Sequence, residues 1–250
     1  MRAGKLMIAA GCCLLAAALC LTGYNLWDNA RAGKKAEETL LLLSRLSDKI
    51  PGRSEPYPQT VSAQTEALPD ETGTEETAMT TEAVIPVGPA PETEKAVPKE
   101  TEAVYPDYLL NPDLEMPTVT LDGVRYIGVI EIPTLGIRLP VIESWNDDLL
   151  RIAPCRFAGS AYRSDFVIAG HNYVSHLGPI HRLRLGDPVC FTDMDGNLFV
   201  YEVIEVETLG PFENTRMKTG DWDLTVFTCT LGGKTRVTVR CALTEEHPML

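Results

Sequence analysis

Residues 6–27 carry no charged side chain, and a helix of these 22 residues is long enough to cross a hydrocarbon core of ~30 Å. Arg2 and Lys5 precede the run and Asp28 closes it. A secretory signal peptide would have a shorter apolar centre and a small-residue cleavage site, and no such site is evident after Cys20. A lipoprotein reading would use Ala9-Ala10-Gly11-Cys12, but only a few apolar residues stand before it. The run is therefore expected to remain as an uncleaved transmembrane anchor within residues 1–28. Its orientation stays open, because Arg31, Lys34 and Lys35 beyond the span offset Arg2, Lys5 and the amino terminus.

The next segment, residues 29–50, reads as a juxtamembrane helix with Ala36, Leu40, Leu43 and Ile50 near one face, expected to serve as a spacer or a self-association helix. Residues 51–117 hold fourteen acids against three bases, so −11 of the chain's net −13 sits there. This stretch is rich in Pro, Thr, Glu and Ala with no sustained apolar period. Such a composition buries too little apolar area to offset the entropy of ordering, and we expect a disordered acidic linker. As a flexible coil it would span ~45 Å, which suits a stalk holding a domain away from a bilayer. The folded remainder is nearly neutral, and without a basic patch or stripe nucleic-acid binding is excluded. Seven scattered Cys in 250 residues likewise exclude a disulfide-framework mini-protein.

From residue 118 to 250 the chain is β-rich. Strands are expected over residues 124–132, 136–142, 166–169, 188–192, 198–208, 224–228 and 235–242, with a hairpin turn through Asp195-Gly196 and a second across Gly232-Gly233. Short helices suit residues 147–152 and 179–183. Many short strands with regularly spaced turns indicate a closed barrel or a sandwich.

Three residues stand at strand ends where chemistry is possible. Cys229 closes the strand Leu224-Thr225-Val226-Phe227-Thr228-Cys229 just before a Gly-containing loop, a place where a side chain is exposed. Alternation puts Thr225, Phe227 and Cys229 on one face of that strand. His171 follows the apolar strand and Gly170, and an imidazole there is a candidate general acid or base. Arg236 opens the strand after the Cys229 loop, on one face with Thr238 and Arg240, while Cys241 faces the core. An Arg beside a Cys favours the thiolate and steadies an oxyanion. Taken singly, each residue has an ordinary structural reading: a buried small hydrophobe, a hydrogen-bonding imidazole, a surface strand Arg.

Together, His at one strand end, Thr-Cys at another and Arg opening the next resemble the sortases, membrane-anchored cysteine transpeptidases mainly of Gram-positive bacteria. The family pattern Thr-Leu-x-Thr-Cys corresponds to Thr225-Val226-Phe227-Thr228-Cys229, with Val in place of Leu. Ile130-Glu-Ile-Pro-Thr-Leu-Gly-Ile-Arg-Leu-Pro-Val141 and Ala169-Gly-His-Asn172 are similar to further family signatures. The resemblance covers residues 126–243. It implies a mainly β fold, a sortase-type eight-stranded β-barrel with short helices, with catalytic His171, Cys229 and Arg236. Thr228 and Arg236 would support substrate and oxyanion. It also implies cleavage of an LPXTG-like sorting signal between Thr and Gly through a thioacyl intermediate. The acceptor would be an amine of a cell-wall precursor or a pilin Lys. No cofactor is implied, and calcium dependence is left open. The orientation would be N-terminus cytoplasmic and domain extracellular. The short segment 208–223 disfavours class B types, and residues 100–118 lack the Asp-Pro-aromatic lid of pilin-polymerising enzymes, so a class A- or D-like enzyme is the subclass expected.

Two rival functions remain at this level: a hydrolytic cysteine peptidase, in which water resolves the thioacyl, and a non-catalytic stalked surface-binding module. The five-residue recurrence of His171, His176 and His181 does not stack metal ligands on a helical face, so no metal is expected. His176 is expected in a loop beside the site, and His247 in an exposed tail. Cys155 and Cys190 have no pairing that the sequence can establish.

Overall fold

The computed structural model describes residues 2–46 and 106–247. The anchor and the juxtamembrane helix, expected as separate segments, form one continuous helix, α1 (Arg2–Leu46). Its two halves differ in what they touch. Residues 7–10 and 12–27 are exposed, whereas Ala32, Ala36, Thr39, Leu40 and Leu43 are buried at the three- and four-residue spacing of one helical face. That face packs on the β domain. Leu40 and Leu43 join Tyr126, Val129, Ile142, Ala153 and Met194 in one apolar cluster, and Ala36 enters the main core. A buried Leu contributes about 1.5–3 kcal/mol relative to an exposed one, so these two residues alone hold the helix down by several kcal/mol. The face expected to serve spacing or self-association is thus occupied by the chain's own domain.

The linker expected over residues 51–117 also needs correction at its C-terminal end. Residues 107–110 form a helical turn, α2 (Asp107–Leu110), and Tyr108 and Met116 are core residues. The Tyr108 ring stacks on Tyr162 at 4.3 Å between centroids, which gives an otherwise polar segment enough apolar burial to order. The linker expectation for residues 51–105 lies outside the described residues.

Nine strands follow: β1 (Val119–Leu121), β2 (Val124–Ile132), β3 (Ile137–Ile142), β4 (Cys155–Ala158), β5 (Phe166–Gly170), β6 (Pro188–Asp193), β7 (Leu198–Leu209), β8 (Leu224–Cys229) and β9 (Arg236–His247). Their order is β1-β2-β3-β4-β5-β8-β9-β7-β6, and β6 pairs back onto β2 through Gly128↔Asp193 to Glu131↔Cys190. Eight strands therefore close on themselves, as the barrel expectation requires, with β1 added beside the start of β2. Short helices α3 (Asp147–Leu150) and α4 (Asn214–Lys218) lie in connections.

Alternation along the strands decides which side chains fill the ring. Leu224 and Val226 of β8 and Val239 and Cys241 of β9 point into the main core with Phe166, Phe191 and Phe199. The opposite faces carry Thr225 against Arg240, and Phe227 against Thr238. Asp193 organises the β6–β7 turn: its carboxylate accepts from the Asp195 and Asn197 amides and from the Tyr162 hydroxyl. Cys155 and Cys190 stand on β4 and β6 as buried free thiols, each pushed up to about 12 by burial.

Candidate active site

β8 is the central strand of the site. It pairs in parallel with β5, from Phe166↔Leu224 to Gly170↔Thr228, and antiparallel with β9, from Leu224↔Cys241 to Cys229↔Arg236. Parallel pairing on one side and antiparallel pairing on the other bring the ends of β5 and β8 and the start of β9 to the same edge of the sheet. His171 leaves β5 one residue past the Gly170↔Thr228 pair, and Cys229 leaves β8 at the same level. Arg236 lies directly across from Cys229 in register. Two of the three sequence candidates thus meet as a cross-strand pair, and the third is the next residue along the neighbouring strand.

Cys229 is exposed, while the chain's other cysteines in the β domain are buried. The Arg236 guanidinium donates through Nη1 to the Pro211 carbonyl at 2.7 Å and, more weakly, to Gly210 at 3.4 Å. It therefore ties the β7–β8 connection to the strand edge next to the thiol. Thr228 stands one residue before the thiol on β8. Its side chain is buried, and Oγ1 donates to the Gly170 carbonyl at 3.0 Å. That bond cross-braces the two strand ends that carry Cys229 and His171.

The His171 loop folds sharply back. A Cβ on Gly170 would lie 2.4 Å from Leu177 Cδ1, so the strand end needs glycine for Leu177 to pack over it. The amides of His176 and Gly178 both donate to the Tyr173 carbonyl at 3.0 Å, closing the turn. The His171 ring stacks on Tyr173 with centroids 3.9 Å apart, and Tyr173 meets His176 edge-on at 5.4 Å. His171 Nδ1 is buried and makes no hydrogen bond. Burial, then the Arg151 charge, lower the His171 pKa, with Asp28 and Asn172 acting in the opposite sense. The imidazole is accordingly held toward its neutral form.

His176 is a fully buried member of this loop. Burial pushes its pKa down to about 4, against the Ala32 backbone, which favours the charged form. A histidine neutral when folded and titrating near its ordinary value when unfolded makes the unfolded chain bind more protons at low pH. Its stability is complete above about pH 6.5 and falls as pH drops toward 4, by about 3 kcal/mol from this group. Thermal unfolding of the full chain in detergent, followed at pH 7 and pH 4.5, is expected to show this loss, with a smaller loss in His176→Gln. Equal losses in the two proteins would remove His176 as the cause. The remaining histidines are local: His181 Nδ1 lies 2.9 Å from the Gly178 carbonyl, and His247, on β9 rather than in a free tail, pairs with Glu245 at 3.0 Å. Among the described residues no cluster of His, Cys, Asp and Glu is arranged to hold a metal ion.

Arg240 was expected only to share a face with Arg236. It is fully buried, stacked 4.0 Å over Trp222, and bonded to Glu207, to Thr225 Oγ1 and to the carbonyls of Arg216 and Met217. A guanidinium offers five donors in a rigid fork, which suits a residue that gathers several loop carbonyls at once. It fixes α4 and the β7–β8 connection, whose first residues Arg236 then holds at the site.

Residues 130–244 match the family model described as Sortase domain. Solved structures similar to the chain include a Clostridium perfringens sortase D transpeptidase, 28% identical, covering 48% of this chain and 79% of that one with a TM-score of 0.43. Listeria monocytogenes sortase A is 21% identical over 50% of this chain and 91% of that one, with a TM-score of 0.46. Sortase A from Corynebacterium diphtheriae is 24% identical over 57% of this chain and 69% of that one, with a TM-score of 0.44. No curated protein matches the chain. The family match runs from β2 to β9, so the β domain is similar to the sortases over the strands that carry the site.

Proposed function

We propose that this chain is a membrane-anchored cysteine transpeptidase that cleaves an LPXTG-like sorting signal between Thr and Gly and transfers the protein to an amine. The observation that carries this reading is the meeting of an exposed Cys229, His171 and Arg236 at one sheet edge in a sortase domain. The Cys229 thiol gives its proton to His171 Nε2 as the sulfur attacks the scissile carbonyl carbon, and the electron pair moves to the oxygen. Arg236 balances that charge. As the oxyanion collapses the C–N bond breaks, and His171, with Nδ1 buried, gives its Nε2 proton to the departing amine. The thioester is then attacked by an incoming amine, which yields a proton to His171. The C–S bond breaks, His171 returns that proton to the sulfur, and the new amide leaves with the thiol restored.

The acceptor in this reading is a cell-wall precursor amine or a pilin Lys. No cofactor enters the scheme, and the bond-making needs none. Residues 6–27 hold the enzyme in the cell membrane with the N-terminus cytoplasmic and the β domain outside. A class A- or D-like anchoring role fits the short β7–β8 connection, which carries only the five-residue α4. The full chain in detergent, given Leu-Pro-x-Thr-Gly peptides with and without a primary amine, separates transfer from hydrolysis. Amine-dependent product at the expense of free acid is the expected result. Free acid unaffected by amine would assign a peptidase, and no cleavage of any peptide would contradict both.

A further inference from the structure

We propose that the docked half of α1, residues 28–43, is a working part of the active site, in which Asp28 acts through Tyr173 as a positioning residue for His171. The inference deepens the transpeptidase reading and rests on His171 being its acid–base group. The Tyr173 hydroxyl donates to the Asp28 carboxylate, and the same tyrosine ring is the one stacked on His171. One turn of loop further on, Ser175 bonds to Asn29 through both its amide and its hydroxyl, at 3.0–3.2 Å. Gly33 then lets the loop approach: a Cβ there would stand 2.9 Å from Ser175 Cβ. Helix and loop are thus joined by polar contacts at Asp28 and Asn29 and by close approach at Gly33, 145 residues apart in sequence.

The docked helix leaves Cys229 exposed, so the contact orders the histidine side of the site and does not cap the nucleophile. Asp28 is also the first residue past the uncharged run, so the loop it binds is held where the apolar span ends. A domain seated this way works at the bilayer surface, and its distance from the membrane is set by the helix rather than by the length of residues 47–105.

The charges facing His171 come from several elements. Asp28 on α1 favours its protonated form, and Arg151 beyond α3 disfavours it. His176 on the same loop, Cys229 on β8 and Arg236 on β9 complete the surroundings. Removing the Asp28 charge therefore moves the His171 titration to lower pH.

The test uses the full chain in lipid nanodiscs. Asn29→Cys with Ser175→Cys, oxidised and digested, is expected to give an intrachain 29–175 disulfide by mass spectrometry, which is lost when Gly33→Val is added. Absence of that cross-link in a chain that melts like wild type would overturn the docking. Labelling the four histidines with carbon-13 allows their titrations to be followed by NMR without any turnover. His171 is expected to titrate lower in Asp28→Asn and to return toward wild type in Asp28→Glu; an unmoved His171 would overturn the positioning role. With a sorting peptide, Tyr173→Phe is expected to lower kcat about tenfold with KM changed less than about twofold. Wild-type inactivity toward every peptide, with the cross-link formed and His171 shifted, would overturn the transpeptidase reading and leave the helix contact standing.

Discussion

Replacing Cys229 by Ala is expected to lower turnover of a sorting peptide by about 10⁵-fold, to the detection limit, because removing the nucleophile of a covalent mechanism removes the intermediate itself. Cys229 is the one exposed cysteine of the β domain, and no other thiol there can take its place. Cys155, Cys190 and Cys241 are buried, and burial raises each thiol well above the ordinary range, which suppresses the thiolate. Cys190→Ala is expected to keep kcat within about twofold of wild type. Release of a fluorophore from a quenched peptide measures both. Retained turnover in Cys229→Ala would place the nucleophile elsewhere.

Substituting His171 by Ala is the second large effect, a loss of about 10³-fold in kcat, within the range that a positioned acid–base group supplies. The imidazole has its pKa lowered chiefly by burial and then by Arg151, so the neutral form persists below the ordinary histidine range. The role proposed for it, as the base that frees the incoming amine, requires that neutral form. The transfer step of the wild type is therefore expected to rise with pH through a value below the ordinary one and to be level above it. In His171→Ala that limb should vanish along with most of the rate. A variant with an intact acidic limb would assign the titration to another group.

The parts of the site that the sequence displayed most clearly are those fixed by local alternation. Period-2 patterning placed Cys229 with Phe227 and Thr225, and Arg236 with Thr238 and Arg240, and the β8–β9 register pairs these residues across the strands. The apolar run ending in Gly170 likewise put His171 at a strand end. What was not displayed depends on contacts between distant segments. The docking of α1 joins Asp28 to Tyr173, and no local pattern distinguishes a face that packs on its own domain from one that packs on another helix. Tyr108 and Met116 lie in a polar, Pro-containing stretch whose composition hides two core residues. The Thr228 hydroxyl could have pointed to substrate or to a neighbouring strand, and only the parallel pairing with β5 chooses Gly170. Arg240 could be placed from the sequence only on one face with Arg236, because its cover, α4 and Trp222, comes from a connection with little periodicity.

The most direct test of the transpeptidase account is to find the acyl group itself. The full chain in detergent, mixed briefly with an excess of Leu-Pro-x-Thr-Gly peptide and quenched in acid, would be digested and mapped by mass spectrometry. The account predicts the peptide fragment ending in Thr attached to Cys229 as a thioester, released as a hydroxamate by hydroxylamine and absent in Cys229→Ala. An acyl group on another residue, or cleavage with Cys229 unmodified at every time point, would contradict it.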